Sequence, residues 1–362
     1  MGQTASDFLV KRLSETGTAW AAAVFLSVPV AAPAQAPAAA NVETQMRHVD
    51  FRVDSTIVLR IDYLRGELRR TSPDRPPWFD DKHSFVLAID SARIEITQTS
   101  LSDLLNRYAF AYPGSPLRKL TITIENGRLK QRGKMRGISF SMIGELSLTS
   151  DGELRLHPTQ IKAAGIRVGG LMKFFGLQLE RLMKLRNARG VRILGNDFLL
   201  SPTELLPPPR VEGRLAAVEV RDGAIMQVFR PAPGKVVRPL AVPDPKAPNY
   251  MFYRGGVLRF GKLTMRRTDM MIVDAVPSDP FDFFLDQYNA QLVAGYSRNT
   301  PDHGLIVVMQ DYRRTPPLRG TARSPGAGEQ KGTPGQRQQS RIFKSMSVTG
   351  SMTLWGRRRA TS

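Results

Sequence analysis

Three dipeptides constrain this chain more than any other feature: Asn126-Gly127, Asp151-Gly152 and Asp222-Gly223, each standing between two short apolar runs. Asn-Gly and Asp-Gly take up the positive φ angles of tight hairpin turns, and such turns join only antiparallel neighbours. Residues 120–124 are therefore expected to pair with the run at Leu129, residues 146–148 with 154–156, and residues 215–220 with 224–229. The middle of the chain reads as an antiparallel meander.

Upstream, residues 49–71 and 85–96 alternate between apolar and polar. Phe51, Val53, Ile57, Leu59 and Ile61, then Phe85, Leu87 and Ile89, fall on one side, the pattern of half-buried strands. Pro73, Pro76, Pro77 and Trp78 mark a loop between them. Ser100 and Asp103 form a capping pattern, followed at helical spacing by Leu101, Leu104, Leu105, Tyr108 and Tyr112, so a short amphipathic helix is expected before Pro113 and Gly114.

One segment departs from this patterning. In residues 166–185 (IRVGGLMKFFGLQLERLMKL), Leu171, Phe175, Leu179, Leu182 and Met183 share a helical face, and Met172, Phe174, Leu177 and Leu185 widen it well past the usual stripe. A helix this apolar must be buried on most sides. Lys173, Arg181 and Lys184 occupy its remaining polar rim. After Pro-rich stretches at 207–209 and 231–248, strands are expected over 257–265 and 270–273. A helix then opens at Asp279, Pro280 and Asp282 with Phe281, Phe284, Leu285, Tyr288 and Leu292 on its apolar face, and a strand follows over 305–309.

Hydrophobic residues make up 41% of the 362 and charged residues 23%, the balance of a globular protein rather than of a disordered or multi-span membrane chain. The formal net charge is +20, which favours phosphate-bearing partners, and residues 313–362 hold eleven Lys and Arg against the single acid Glu329. Residues 313–341 carry almost no apolar side chains and read as a disordered basic linker. Residues 342–362 follow as a tail with a weak edge-strand alternation.

The absence of cysteine removes disulfides, thiolate metal sites and a cysteine nucleophile. His48, His83, His157 and His303 show no shared helical spacing, so no metal site is expected, and Asp279, Asp282 and Asp286 are explained by a helix start rather than by calcium. Gly169-Gly170 is read as a strand-to-helix turn, and no GxSxG, HExxH, phosphate-loop or dinucleotide pattern occurs. Neither catalysis nor a cofactor is expected. Arg357, Arg358 and Arg359 belong to no nucleic-acid-binding module; contact with an anionic membrane surface accounts for the same residues.

From the Asp151-Gly152 turn through LRLHPTQIKAAGIRV, the apolar segment, Pro208-Pro209 and the hairpin LAAVEVRDGAIMQVF, the chain resembles the LmeA-like bacterial phospholipid-binding family, itself similar to tubular lipid-binding (TULIP) proteins. The resemblance implies an α+β fold, in which a long apolar helix is wrapped by a strongly curved antiparallel sheet with acyl chains between them, and a disordered basic C-terminal tail beyond. The resemblance covers residues 85–229; the lipid-binding region is read as 41–230, with 231–312 an α/β extension packing on the same sheet, although 249–312 has no counterpart in the family. The acyl-lining residues would be Leu171, Phe174, Phe175, Leu179, Leu182, Met183, Leu101 and Leu105. Lys173, Arg181 and Lys184 would meet the headgroup of a phospholipid or other acyl lipid. Burial of a methylene is worth about 0.8 kcal/mol, so such a binder needs no dedicated polar motif. A non-enzymatic envelope scaffold binding anionic polymers through the same basic surface is the alternative.

Residues 20–32 (WAAAVFLSVPVAA) follow Lys11 and Arg12 and precede small residues through Ala40, the pattern of a secretory signal peptide over 1–40. A periplasmic or extracellular location is expected. N-terminal sequencing of protein recovered from the envelope fraction should then start at Asn41; retention of Met1 or of residues 20–32 would contradict export by cleavage.

Overall fold

The computed structural model describes residues 41–163, 185 and 188–316. The chain opens with three long antiparallel strands, β1 (Val42–Arg52), β2 (Val58–Arg70) and β3 (Phe85–Thr97). Their apolar residues alternate, but each strand reverses phase once. Val42, Thr44 and Met46 are buried before His48, which has φ +48°, and Val49 and Val53 after it. Leu59 and Ile61 give way to Leu64 and Leu68 across Asp62; Phe85 and Ile89 give way to Ala92, Ile94 and Ile96 across Asp90. An irregular residue shifts the two-residue period by one and bends the strand, so the apolar set stays on a single face.

Thr97 caps the helix α1 (Gln98–Leu104) by accepting from the Ser100 N–H, and the helix runs on as a π turn through Ala109. It buries Leu101, Leu104 and Leu105. A second sheet follows, built from β4 (Leu117–Glu125), β5 (Arg128–Met135), β6 (Ile138–Leu148), β7 (Leu154–Ala163), β8 (Val191–Leu194) and β9 (Asp197–Leu200), in the order β4-β5-β6-β7-β9-β8. Asn126 and Gly127 turn β4 into β5 at φ +52° and +68°. The short helix α2 (Pro202–Leu205) then leads back to the first sheet.

There β10 (Arg210–Gly213) lies parallel to β3, and β11 (Leu215–Arg221) and β12 (Ala224–Phe229) form a hairpin with β12 antiparallel to β3. The other side of β1 receives β13 (Tyr250–Gly255), and beyond a small hairpin of β14 (Leu258–Phe260) and β15 (Leu263–Met265) comes β16 (Thr268–Asp274). Strand β17 (Phe281–Phe284), helix α3 (Tyr288–Ala294), β18 (Tyr296–Asn299) and β19 (Leu305–Met309) complete the described chain apart from a 3-10 turn, Tyr312–Arg314. The first sheet thus runs β11-β12-β3-β2-β1-β13-β16-β19-β18, with β10 also on β3 and β17 on β1.

β13 and β16 are apolar at successive positions because both of their faces are covered. Met251, Tyr253, Met270 and Ile272 join the main core, which spans both sheets. Tyr250, Phe252, Met271 and Val273 form a second cluster on the opposite face, covered in part by Leu240, Val242 and Ala247 of the Pro-rich link. At this end Phe79 packs edge-on against Tyr253, Phe260, Phe283 and Tyr288.

The structure corrects two expectations. The fold is mostly β rather than α+β, and among the described residues no long apolar helix is wrapped by a curved sheet; the longest helical stretch there is α1 with its π turn. The TULIP-like arrangement is therefore replaced by two facing sheets, because each long strand finds its apolar partner on another strand. The segment 166–184 that suggested the helix lies outside the described residues. Phe281–Phe284 is a strand and not the start of a helix: Phe281, Phe283 and Phe284 are all buried, Asp282 is bound by Arg52, and helix α3 begins only at Tyr288. Arg313 and Arg314, the first residues of the expected basic linker, lie in the 3-10 turn, where Arg313 reaches Asp282 at 3.5 Å and Arg314 reaches Asp279 and Asp311. The remainder, 317–362, lies outside the described residues.

Gly66 sits where β2 and β3 come back into register after the irregularity at Asp90, and a Cβ built on it would stand 2.3 Å from the Ala88 carbonyl oxygen. Gly66→Ala should cost about 1–3 kcal/mol, read as a lower Tm in thermal unfolding. An unchanged Tm would contradict this close approach.

Candidate binding cavity

Two sheets packed face to face stand about 10 Å apart, and side chains from both must fill the gap. Here they do so unevenly. A cluster of aromatic rings gathers around Phe79, whereas the region under β2, β3 and β12 is faced mainly by aliphatic side chains, and a cavity of about 110 Å³ remains. That is roughly eight times the space one water molecule needs. The first sheet contributes Ile61, Leu64, Ile94, Ile96 and Ile225. The second contributes Leu129, Leu146, Leu154, Leu156 and Phe198. Leu101, Leu105 and Phe110 close one part of the wall, and Leu205, Leu206, Pro207 and Pro209 another.

Among the described residues the polar side chains on this wall are Gln131, Gln227 and Thr203. None is titratable. Water gains little in such a space, since each molecule needs two to four polar partners to offset its loss of freedom, whereas an apolar chain restores the dispersion contacts the lining atoms lack. The cavity's chemistry suits hydrocarbon.

Of the residues the sequence singled out for acyl contact, Leu101 and Leu105 both line the cavity, from α1 and its π turn. Leu171, Phe174, Phe175, Leu179, Leu182 and Met183 lie outside the described residues, as do Lys173, Arg181 and Lys184. Leu185, at the end of that segment, packs against the main core. Sequence reasoning missed the cavity's own sheets. Ile94, Leu156 and Ile225 read only as core positions, because alternation tells which face is buried and not whether that face is completely filled. A visible but unused signal was glutamine at an inward strand position, as in the Leu129, Gln131 alternation of β5.

The titratable groups cluster elsewhere. Buried Arg52 donates to both carboxylate oxygens of Asp282, at 2.5 and 3.2 Å, and Asp50, Asp274 and Asp311 stand around this pair with pKa values raised chiefly by burial. Asp274 is pushed up to about 6 even though it accepts from the Val276 N–H and the Asn249 amide. His157 Nδ1 lies 2.6 Å from Asp197 Oδ1 at an exposed position. Among the described residues no group of three or more His, Asp or Glu is placed to hold a metal ion. No known protein family, curated protein or solved structure matches the chain. The cavity's chemistry is therefore the ground for its function.

Because Asp274 binds its proton more tightly in the folded protein than at the ordinary value of 3.8, its contribution to stability is full below that value and is lost as pH rises through about 6. Asp274→Asn should flatten the fall in Tm across this window, measured by thermal unfolding between about pH 4 and 7. Equal slopes for the two proteins would contradict the raised pKa.

Proposed function

We propose that this protein is an exported, non-enzymatic lipid-binding protein that holds an acyl chain of a phospholipid or related envelope lipid in the cavity between its two sheets. The observation that carries the reading is the cavity between the sheets: larger than packing alone requires, with a wall apolar on both sheets and, among the described residues, without a titratable side chain. An acyl chain entering it gains about 0.8 kcal/mol per methylene removed from water.

The outer face of the second sheet supports an anionic membrane surface as the place of exchange. Successive outward positions of β5 are Arg128, Lys130, Arg132 and Lys134; Arg118 stands on the neighbouring β4 and Lys162 on β7, two strands away. Among the described residues only Arg128 of these six has an acidic partner, Glu145 at 3.7 Å. Each basic residue close to an anionic leaflet contributes about 1 kcal/mol, and the attraction is screened by salt. A scaffold for anionic polymers would use the same face, but its binding would vanish at high salt while acyl capture persisted.

Organic extraction and mass spectrometry of the purified full chain should return bound lipid. Leu105→Trp, which places a ring into the cavity, should lower that content severalfold with little change in Tm, because the space to receive it already exists. Absence of lipid, together with no uptake of a fluorescent fatty acid, would overturn the reading. A large loss of Tm at unchanged lipid content would show that Leu105 is ordinary core.

A further inference from the structure

The described chain buries four glutamines, and they divide into two kinds. Gln45 donates to the Tyr250 hydroxyl and accepts from the Leu240 N–H; Gln291 donates to the Asp282 and Gln310 carbonyls and accepts from the Phe284 N–H. Both are fully engaged. Gln131 and Gln227, only 7% and 9% exposed, face the cavity, and among the described residues neither side-chain amide has a hydrogen-bond partner. Their strand neighbours cannot supply one. Gln131 stands between Ile122 and Met142, and Gln227 between Ile94 and Val218.

The amides are not sealed off but open onto the cavity, where the apolar wall offers no partner; this costs up to about 1–3 kcal/mol, a penalty that leucine at the same position would avoid. The two amides also come from opposite sheets, so they address the cavity from both sides. Binding sites for amphiphiles combine an apolar wall with a small number of polar groups that fix the ligand's orientation. Each amide offers two N–H donors and one carbonyl acceptor. We infer that Gln131 and Gln227 hydrogen-bond the ester or carboxyl group of the bound lipid, so that the site selects a chain bearing such a group over plain hydrocarbon. This rests on the reading of the cavity as an acyl site and adds the chemistry by which it chooses and orients its ligand.

The selection is an affinity difference that the full chain can report. Methyl dodecanoate and dodecane share a twelve-carbon chain and differ in the ester, and their affinities follow from displacement of a fluorescent fatty acid. The wild type should bind the ester at least about tenfold more tightly, the magnitude expected when a buried polar site meets a ligand lacking its partner. In Gln131→Leu/Gln227→Leu the ester should lose about tenfold while dodecane binds as well or better, and Tm should hold or rise as the unpaired amides disappear. Equal affinity of the wild type for both probes would overturn the inference while leaving acyl binding in place. Ester preference unchanged in the double variant would overturn the assignment to these two residues. Failure of the wild type to bind either probe would remove the acyl reading and this inference with it. Should the double variant fold poorly, the wild-type preference between the two probes still decides the selection itself.

Discussion

Everything in this structure depends on two apolar sheet faces that bury each other without filling the space between them. Strand pairing fixes the backbones: β2 is hydrogen-bonded to β1 and β3 along its length, and β5 to β4 and β6. Side chains can then only reach inward from fixed positions. Where those positions hold the clustered rings of Phe79, Phe260, Phe283 and Tyr288 the gap closes, and where they hold mainly isoleucine and leucine it remains open. Folding stabilises the sheets through long-range pairing, and the cavity is what that pairing leaves.

The uneven distribution explains how a protein can carry a void and still hold its shape. Under β13, β16 and β17 the core is dense, with Phe260 and Tyr288 rings at 4.5 Å and the Phe79 ring at the centre of the aromatic cluster. Arg52 of β1 grips Asp282 of β17 in a buried bidentate pair, and breaking one partner of such a pair is costly because the other charge is stranded. This rigid half anchors β1. The aliphatic half, under β2, β3 and β12, inherits its strand positions from that anchor instead of collapsing onto itself. The phase reversals at His48, Asp62 and Asp90 keep the inward set continuous across the bends.

Much of the topology was legible in the chain. The three turn dipeptides join antiparallel neighbours, and Phe85, Ile89, Leu59 and Ile61 are buried where alternation placed them. One run misled by its lack of a clear period. A run that is apolar at successive positions fits a helix buried all round and equally a strand buried on both faces, and periodicity alone does not separate them. Phe281–Phe284 was such a run, and its strand character comes from parallel pairing with β1, more than two hundred residues earlier in the chain. The α+β expectation failed because the apolar runs of the described chain pair mostly strand to strand. The cavity was only partly legible. Leu101 and Leu105 fell on it because their helix had to bury that face somewhere, whereas the β3, β7 and β12 lining carries no local mark that sets it apart from core.

The central claim is that acyl hydrocarbon occupies the space between the sheets. Intermolecular nuclear Overhauser effects test it most directly, between the chain methylenes of a bound fatty acid and the selectively labelled methyl groups of isoleucine and leucine. The account predicts contacts to Ile94 and Ile225 on one sheet and to Leu129 and Leu156 on the other, with none to Ile306, which lies in the second apolar cluster. A bound fatty acid that contacts none of these four methyl-bearing residues, or that touches only surface positions, would contradict it.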